Sequence, residues 1–431
     1  MERKIQIFLK QWKESKYRKP LILQGARQVG KTYALLEFAR ENYENVAYFN
    51  FETDKSLSKT FDENLSPDYL IPILSHISEQ TIIKEKTLII FDEVQLCERA
   101  LTSLKYFCEL APEYHIVVAG SLLGVATNRE QFSFPVGKVD MKTLYPMDME
   151  EFLLANGEEN LVKKIKICFE NNTPMPSALH ESCIKYYKKY LVVGGMPEAV
   201  AKYVETKDFV LVRHIQDMIL KAYLNDMSKY NTASEIKKTR LTYNNITVQL
   251  SRKNTRFRYK SIKKGGRAAE FEDAIEWLTL SGIVSQIYQI EQIKKPLENY
   301  KNIDAFKIYV SDVGLLAAKK DITPDDILFD SPQLNDFKGG MAENYVNFVL
   351  TTNGYRSFYW ESGNSAEIDF VIQKDGNIIP VEVKSADNTK AKSLNLYMKK
   401  FSPKYAIKLS TKNFGFDDNK KTIPLYAAFC I

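Results

Sequence analysis

Cysteine, histidine and glycine are all scarce in this chain of 431 residues. The five cysteines, Cys97, Cys108, Cys168, Cys183 and Cys430, are odd in number, dispersed and never spaced CxxC. That excludes a disulfide framework and points to reduced thiols in a cytoplasm. Four scattered histidines leave no His-rich metal site. No run approaches the ~18 consecutive apolar residues of a spanning helix, so no membrane partner is expected. Near the N-terminus Ile5, Phe8, Leu9 and Trp12 fall at helical spacing, and Lys10 interrupts anything resembling a signal core. At 45% apolar and 26% charged residues the chain is of ordinary globular composition, and its length predicts two to four domains. With only 18 glycines, a GxxxxGK(S/T) pattern would arise by chance in about one such chain in a hundred.

That pattern is present. Leu21-Ile22-Leu23-Gln24 reads as an apolar strand running into Gly25-Ala26-Arg27-Gln28-Val29-Gly30-Lys31-Thr32. Gly25 and Gly30 lack the side chains that would hold phosphate oxygens off the backbone, so the intervening amides can turn inward and cradle an anion where a helix begins. Lys31 is placed to reach the β and γ phosphates of ATP and Thr32 to ligate Mg²⁺. Downstream, Thr87 to Phe91 has the apolar character of a buried parallel strand and ends in Asp92-Glu93. Asp92 is expected to hold the Mg²⁺ through water, and Glu93 to orient and deprotonate the attacking water. Taken alone, the same segment also reads as a core strand that ends in an acidic loop.

Strands at 21–24, 46–51, 88–91, 116–119 and 139–144 alternate with helical segments, the pattern of a doubly wound parallel sheet. This predicts an α/β P-loop ATPase core over 1–148. From 149 to 230 the reading is helical, a lid punctuated at Gly194-Gly195-Met196-Pro197, where two glycines stop one helix and proline opens the next. From Ile236 to Arg267 there are eleven Lys or Arg and no Asp or Glu, interleaved with Tyr243, Phe257 and Tyr259. Such a stretch attracts polyanions, DNA among them, although a charge run also suits a solvated face. A helix at 271–280 and a strand at 283–290 follow it, which predicts a winged-helix-like module over 231–325.

The remainder, 326–431, carries a second constellation. Ser365 to Ile372 and Ile378 to Lys384 read as two strands joined at Asp375-Gly376, a hairpin turn. Period-two alternation sends Glu382 and Lys384 to one face. Asp369 and Glu382 could then share a divalent cation, with Lys384 beside the attacking water and Glu343, on a helix opened by Gly339-Gly340, as a further ligand. The plainer reading is a polar hairpin face with an Asp369 to Lys384 ion pair worth under ~1 kcal/mol.

These residues together resemble a family of bacterial and archaeal AAA-type ATPases that carry a C-terminal domain of unknown function with a restriction-endonuclease-like core. The resemblance spans nearly the whole chain. It rests on GARQVGKT at 25–32, IIFDEVQ at 89–95, AGSLLG at 119–124, FPVGKV at 134–139 and YPMDMEEFL at 145–153. GGMPEAV at 194–200, FEDAIEWLTLSGIV at 271–284, FKIYVSDVGLL at 306–316, GGMAENYV, AEIDFVI and VEVKS complete it. It implies an additional-strand ATPase core, a helical lid, a winged-helix-like module and a nuclease-like terminal domain. In related ATPases a polar residue after the fourth strand touches the γ-phosphate or the lytic water, a role that would fall to Ser121. An arginine finger is also implied, for which Arg99, Arg129 and Lys138 are the candidates. The leading expectation is a Mg²⁺-dependent ATPase whose nucleotide state positions the basic module and nuclease-like domain on DNA. Its rivals are a nucleotide-controlled switch for a protein partner, with a nuclease-like domain devoid of chemistry, and an ATP-licensed nuclease. A homo-oligomer is compatible with each.

Overall fold

The computed structural model describes residues 3–121, 134–228, 232–252, 256–363, 366–385 and 392–431. The chain forms two compact units, one of residues 2–145 with 280–282, the other of 146–279 with 283–431.

The first unit begins with helix α1 (Lys4–Glu14), whose stripe of Ile5, Leu9 and Trp12 is buried. Its elements continue as β1 (Leu21–Gln24), α2 (Lys31–Asn42), β2 (Asn45–Asn50), α3 (Leu57–Glu63), α4 (Pro67–Ile77), β3 (Thr87–Asp92), α5 (Glu98–Leu110), β4 (His115–Gly120) and β5 (Asp140–Thr143). The five strands form one parallel sheet in the order β2-β3-β4-β1-β5. Every residue of β3 and of β4 is buried, as a central strand covered on both faces requires. On one side Phe49, Phe51, Phe61 and Phe91 pack edge to face or tilted, with ring centroids 5.6–5.9 Å apart. The carboxyl ends of β1 and β3 therefore sit on a rigid floor.

The second unit opens with helices α6 (Met149–Ala155), α7 (Glu159–Asn171), α8 (Ser177–Val193), α9 (Pro197–Thr206) and α10 (Phe209–Asp226). Asp148 and Glu151 form a capping box on α6, and Asp208 caps α10. Next come α11 (Ala233–Leu250), α12 (Tyr259–Ile262), α13 (Ala268–Leu280), β6 (Val284–Ile290), β7 (Lys301–Val310), α14 (Val313–Lys319), α15 (Pro324–Leu328) and α16 (Asn335–Thr352). The chain ends with β8 (Phe358–Ser362), β9 (Ala366–Lys374), β10 (Asn377–Val383), α17 (Lys392–Phe401), β11 (Ala406–Ser410), β12 (Gly415–Asp417) and β13 (Lys420–Pro424). Its eight strands lie in one sheet, in the order β12-β13-β11-β10-β9-β8-β6-β7. The strands at 284–290 and 301–310 are thus continuous with those of 358–424. β9 and β10 pair as the expected hairpin, with Asp375 at φ 47° and Gly376 at φ 72° forming its turn.

Two readings of the second unit change. Gly339 and Gly340 lie inside α16 rather than opening it. A Cβ on Gly340 would stand 2.1 Å from the Leu250 carbonyl oxygen, so glycine there serves a close backbone approach. The aromatics of the basic stretch are also mostly enclosed. Tyr243 and Phe257 are buried, and Phe257 stacks on Phe306 with centroids 5.3 Å apart.

The Gly194-Gly195 turn is held by a distant carboxylate. Gly195 N–H donates to Asp312 Oδ2 at 2.6 Å, while Leu315 N–H donates to Asp312 Oδ1 at 2.7 Å and so caps α14. A Cβ on Gly194 would meet Asp312 Oδ1 at 2.3 Å, and one on Gly314 would meet the Gly194 nitrogen at 2.5 Å. Burial pushes the Asp312 carboxyl up to about 6, against the pull of the N–H donors of Gly195, Leu315 and Gly314.

Candidate functional site

In the first unit, β1 delivers the chain to Gly25, whose φ of 148° and near contact with Leu144 suit only glycine: a Cβ there would lie 2.2 Å from the Leu144 carbonyl oxygen. Gln28 at φ 66° and Gly30 at φ 89° complete the loop, and α2 starts at Lys31. The N–H groups of its first turn have no intrahelical acceptors, which makes this end an anion seat.

Lys31 is only 6% exposed, and its ammonium donates to the carbonyl oxygens of Gly25 (2.9 Å) and Ala26 (2.8 Å) and to Ser121 Oγ (3.4 Å). Thr32 Oγ1 donates to Asp92 Oδ2 at 2.7 Å. Asp92 Oδ1 accepts from the Glu93 N–H at 2.9 Å, and Ser121 Oγ donates to Glu93 Oε1 at 3.3 Å. The residues singled out in the sequence, Lys31, Thr32, Asp92, Glu93 and Ser121, form one connected polar cluster. Glu93 adopts left-handed backbone, φ 51° and ψ 38°, a conformation costing on the order of 1 kcal/mol for a non-glycine residue and common where a side chain must be aimed. Gln95 Nε2 donates to Glu93 Oε2 at 2.5 Å and fixes the carboxylate's second oxygen.

Three participants were missed by sequence reading. Tyr48, on β2, donates its hydroxyl to Asp92 Oδ2 at 2.8 Å, and Asn50 Nδ2 donates to the Tyr48 oxygen at 3.2 Å. Burial first, and Asp92 with it, pushes the Tyr48 phenol up to about 12, so it remains a donor at neutral pH. Arg3, nearly buried, braces the loop from behind by donating to the carbonyl oxygens of Val29 (3.1 Å) and Tyr145 (2.8 Å).

The arginine-finger candidates separate. Arg99 Nε donates to the Phe61 carbonyl at 2.6 Å, Lys138 pairs with Glu109 at 2.9 Å, and Arg129 lies outside the described residues, as does the 122–124 portion of AGSLLG.

The second constellation, in the other unit, is also brought together. Asp369 on β9 accepts the Val383 N–H at 2.7 Å, and Lys384 pairs with Glu382 at 2.5 Å rather than with Asp369. The hairpin face therefore carries an ion pair within one strand end instead of across two. Glu343, from α16, accepts from the Tyr309 hydroxyl at 3.0 Å and faces Lys307 Nζ at 3.6 Å. Lys307 also pairs with Glu367, and its side chain is fully buried. Burial, then Glu382 and Glu343, push the Asp369 carboxyl well above its usual range, and burial raises Glu382 against the pull of Lys384. Burial works against the charge on Lys307, but Tyr309, Glu343, Glu367 and Asp369 outweigh it and hold the ammonium protonated. No group of three or more His, Cys, Asp or Glu that could hold a metal ion occurs among the described residues.

Beside this face lies a cleft of about 970 Å³, lined by Arg252, Arg256, Arg258 and Lys260 with Glu361, Glu367 and Asp304. Other members of the basic run are engaged in the fold: Arg240 donates to the Leu224 carbonyl and Ser228 Oγ, and Lys263 pairs with Glu270.

Against known proteins, residues 17–153 match the family model described as an AAA domain. Residues 184–326 and 338–428 match two models described as domains of unknown function, DUF8612 and DUF4143. No curated protein matches the sequence. Similar solved structures include a Walker-type ATPase of Pyrococcus abyssi (13% identity, 74% of this chain and 95% of that one, TM-score 0.43). Others are the Aeropyrum pernix ORC1 protein in complex with DNA (12%, 74% and 90%, TM-score 0.31) and C. elegans PCH-2 (13%, 44% and 56%, TM-score 0.27). The N-terminal segment is an AAA-type P-loop ATPase domain. The protein that carries it is an ATPase. Among the described residues no helix is long and apolar enough to cross a membrane.

Proposed function

We propose that the chain is a Mg²⁺-dependent ATPase whose nucleotide state governs a nucleic-acid-binding unit. The observation that carries the ATP half is the contact set joining Lys31, Ser121 and Glu93 on one side and Thr32, Asp92 and Tyr48 on the other. The amides from Ala26 to Thr32 would receive the phosphates, and Lys31 would exchange its carbonyl partners for phosphate oxygens. Thr32 and Asp92 fit a Mg²⁺ ion, since their oxygens already converge to 2.7 Å; bound there, the ion supplies neutralising charge to the phosphates. Glu93, held by Gln95 and Ser121, would take the proton of the attacking water, and Ser121 would sense the terminal phosphate. The test is a pair of variants: Lys31→Ala should lose ATP binding or turnover, and Glu93→Gln should retain ATP without hydrolysing it. Parental turnover in Glu93→Gln would remove that residue from the role.

The nucleic-acid half rests on the cleft beside Arg252, Arg256, Arg258 and Lys260, four cations converging on one concavity. Binding of a labelled duplex, followed by anisotropy, should weaken steeply with added salt as counterions are released. A duplex that fails to bind at low salt would favour a second reading, a switch for a protein partner whose nuclease-like domain has no chemistry. That reading is supported by the ion pairs that already engage Glu343, Glu367 and Glu382. In this arrangement Asp369, Glu382 and Glu343 do not fit a divalent cation, because lysines already pair with Glu382 and Glu343.

A further inference from the structure

The acidic face of the second unit contains a cation supplied by the chain itself. Lys307 lies on β7, outside the β8–β11 segment that carries the expected Glu382 and Lys384. Its side chain has no solvent exposure, it pairs with Glu367 and approaches Glu343 at 3.6 Å, and it sits 5.0 Å from the centre of the Tyr359 ring. We propose that the Lys307 ammonium is the resident cation of the Glu343, Glu367, Asp369 and Glu382 cluster, and that it excludes a divalent ion from this site.

Glu382 is buried, Asp369, Glu343 and Glu367 are partly so, and carboxylates gathered this way repel one another unless positive charge is placed among them. Lys384 compensates Glu382 at one end of the face. Lys307 compensates Glu343 and Glu367 at the other. A divalent cation takes six or more oxygen ligands at close range and would have to share these carboxylates with an ammonium that cannot withdraw to solvent. Glu382 is 3% exposed, yet its Oε2 has no hydrogen-bond partner among the described residues, and Lys307 Nζ is held by charge alone, without a directed hydrogen bond. That orphan oxygen marks where an ion would enter if the tethered charge were removed.

The inference is independent of nucleic-acid binding and of ATP turnover, so its test needs neither. Mn²⁺ alone is titrated by calorimetry into the nucleotide-free full-length protein, into Lys307→Met and into Lys307→Met with Glu382→Gln. The parental protein should show no site that depends on Glu382. Lys307→Met should gain one that binds at least about tenfold tighter than any residual Mn²⁺ association of the parental protein, equivalent to ~1.4 kcal/mol, and the added Glu382→Gln should abolish it. A merely structural lysine would leave Lys307→Met folded, by circular dichroism, with no new site, and that result overturns the proposal. Should Lys307→Met not fold, the parental protein carries the test through its amide NMR spectrum. Mn²⁺ that leaves the signals of Asp369 and Glu382 unbroadened supports the tethered cation, and broadening confined to them sinks it.

Discussion

The two polar clusters of this protein use the same residue types in opposite ways. At the phosphate loop, Lys31 is held by two carbonyls and a hydroxyl, and Asp92 by the hydroxyls of Thr32 and Tyr48. At the second face, Lys307 and Lys384 are held directly by carboxylates. Neutral partners are released to water cheaply, about 1 kcal/mol each, whereas separating buried opposite charges leaves both uncompensated. The first cluster is poised to trade its partners for a charged ligand. The second is already paired charge to charge, although Lys307 Nζ and Glu382 Oε2 make no directed hydrogen bond among the described residues.

The sharpest way to break this contrast is to remove one lysine or acid from the first cluster. Lys31→Ala or Glu93→Gln should lower ATP turnover by about 10²-fold or more while thermal stability changes little, because their partners are groups that water can replace. A large loss of stability in either would place the first cluster with the second. A more moderate effect is expected from Gly25→Ala, which sets a methyl 2.2 Å from the Leu144 oxygen. Denaturant melts should show a loss of about 3 kcal/mol, and nucleotide affinity should fall with it. At the second face, Glu367→Gln takes a partner from a fully buried ammonium and should cost about 2 kcal/mol, reduced from the usual penalty because Glu367 is itself 29% exposed. A stability-neutral Glu367→Gln would mean that the pair does not organise that face.

The smallest effect concerns pH. Burial first, and Arg18 and Lys13 beside it, depress His115 to about 4 from 6.5. The unfolded chain therefore binds a proton below about pH 6.5 that the folded unit refuses until about pH 4. Stability is retained above pH 6.5 and lost as the pH falls through that window. His115→Gln should flatten the decline in midpoint denaturant concentration between pH 7 and pH 5. An unchanged slope would assign the decline to other groups.

What could be read from the sequence was what is contiguous in it. The glycine loop, the acids ending β3 and the Asp375-Gly376 hairpin each occupy a few neighbouring residues, and their geometry follows from local rules. Tyr48, Arg3 and Lys307 act on residues 44, 26 and 60 positions away, as their bonds to Asp92, Val29 and Glu367 record. No spacing rule announces such partners. The same holds for the sheet: the strand expected at 283–290 corresponds to β6, but β7 had no counterpart in the sequence reading, and the place of both beside β8 depends on pairing that no local pattern encodes. The plainer reading of the hairpin pairs Lys384 with Asp369, whereas in the fold Lys384 pairs with Glu382 and the Val383 amide donates to Asp369. The boundary role expected of Gly340 gives way likewise, since its crowding neighbour is Leu250.

The carboxylate of Asp312 ties together two stretches that the chain writes more than a hundred residues apart, 194–200 and 306–316. Neither has room for drift alone, because a methyl on Gly194 or Gly314 would strike the other stretch, and Gly195 would lose its acceptor if Asp312 shortened. In a recombination experiment between this chain and a distant relative, the two stretches should therefore travel as one heritable block. A crossover placed between them should yield insoluble protein, and selection for rescue should return compensating changes at the matching stretch.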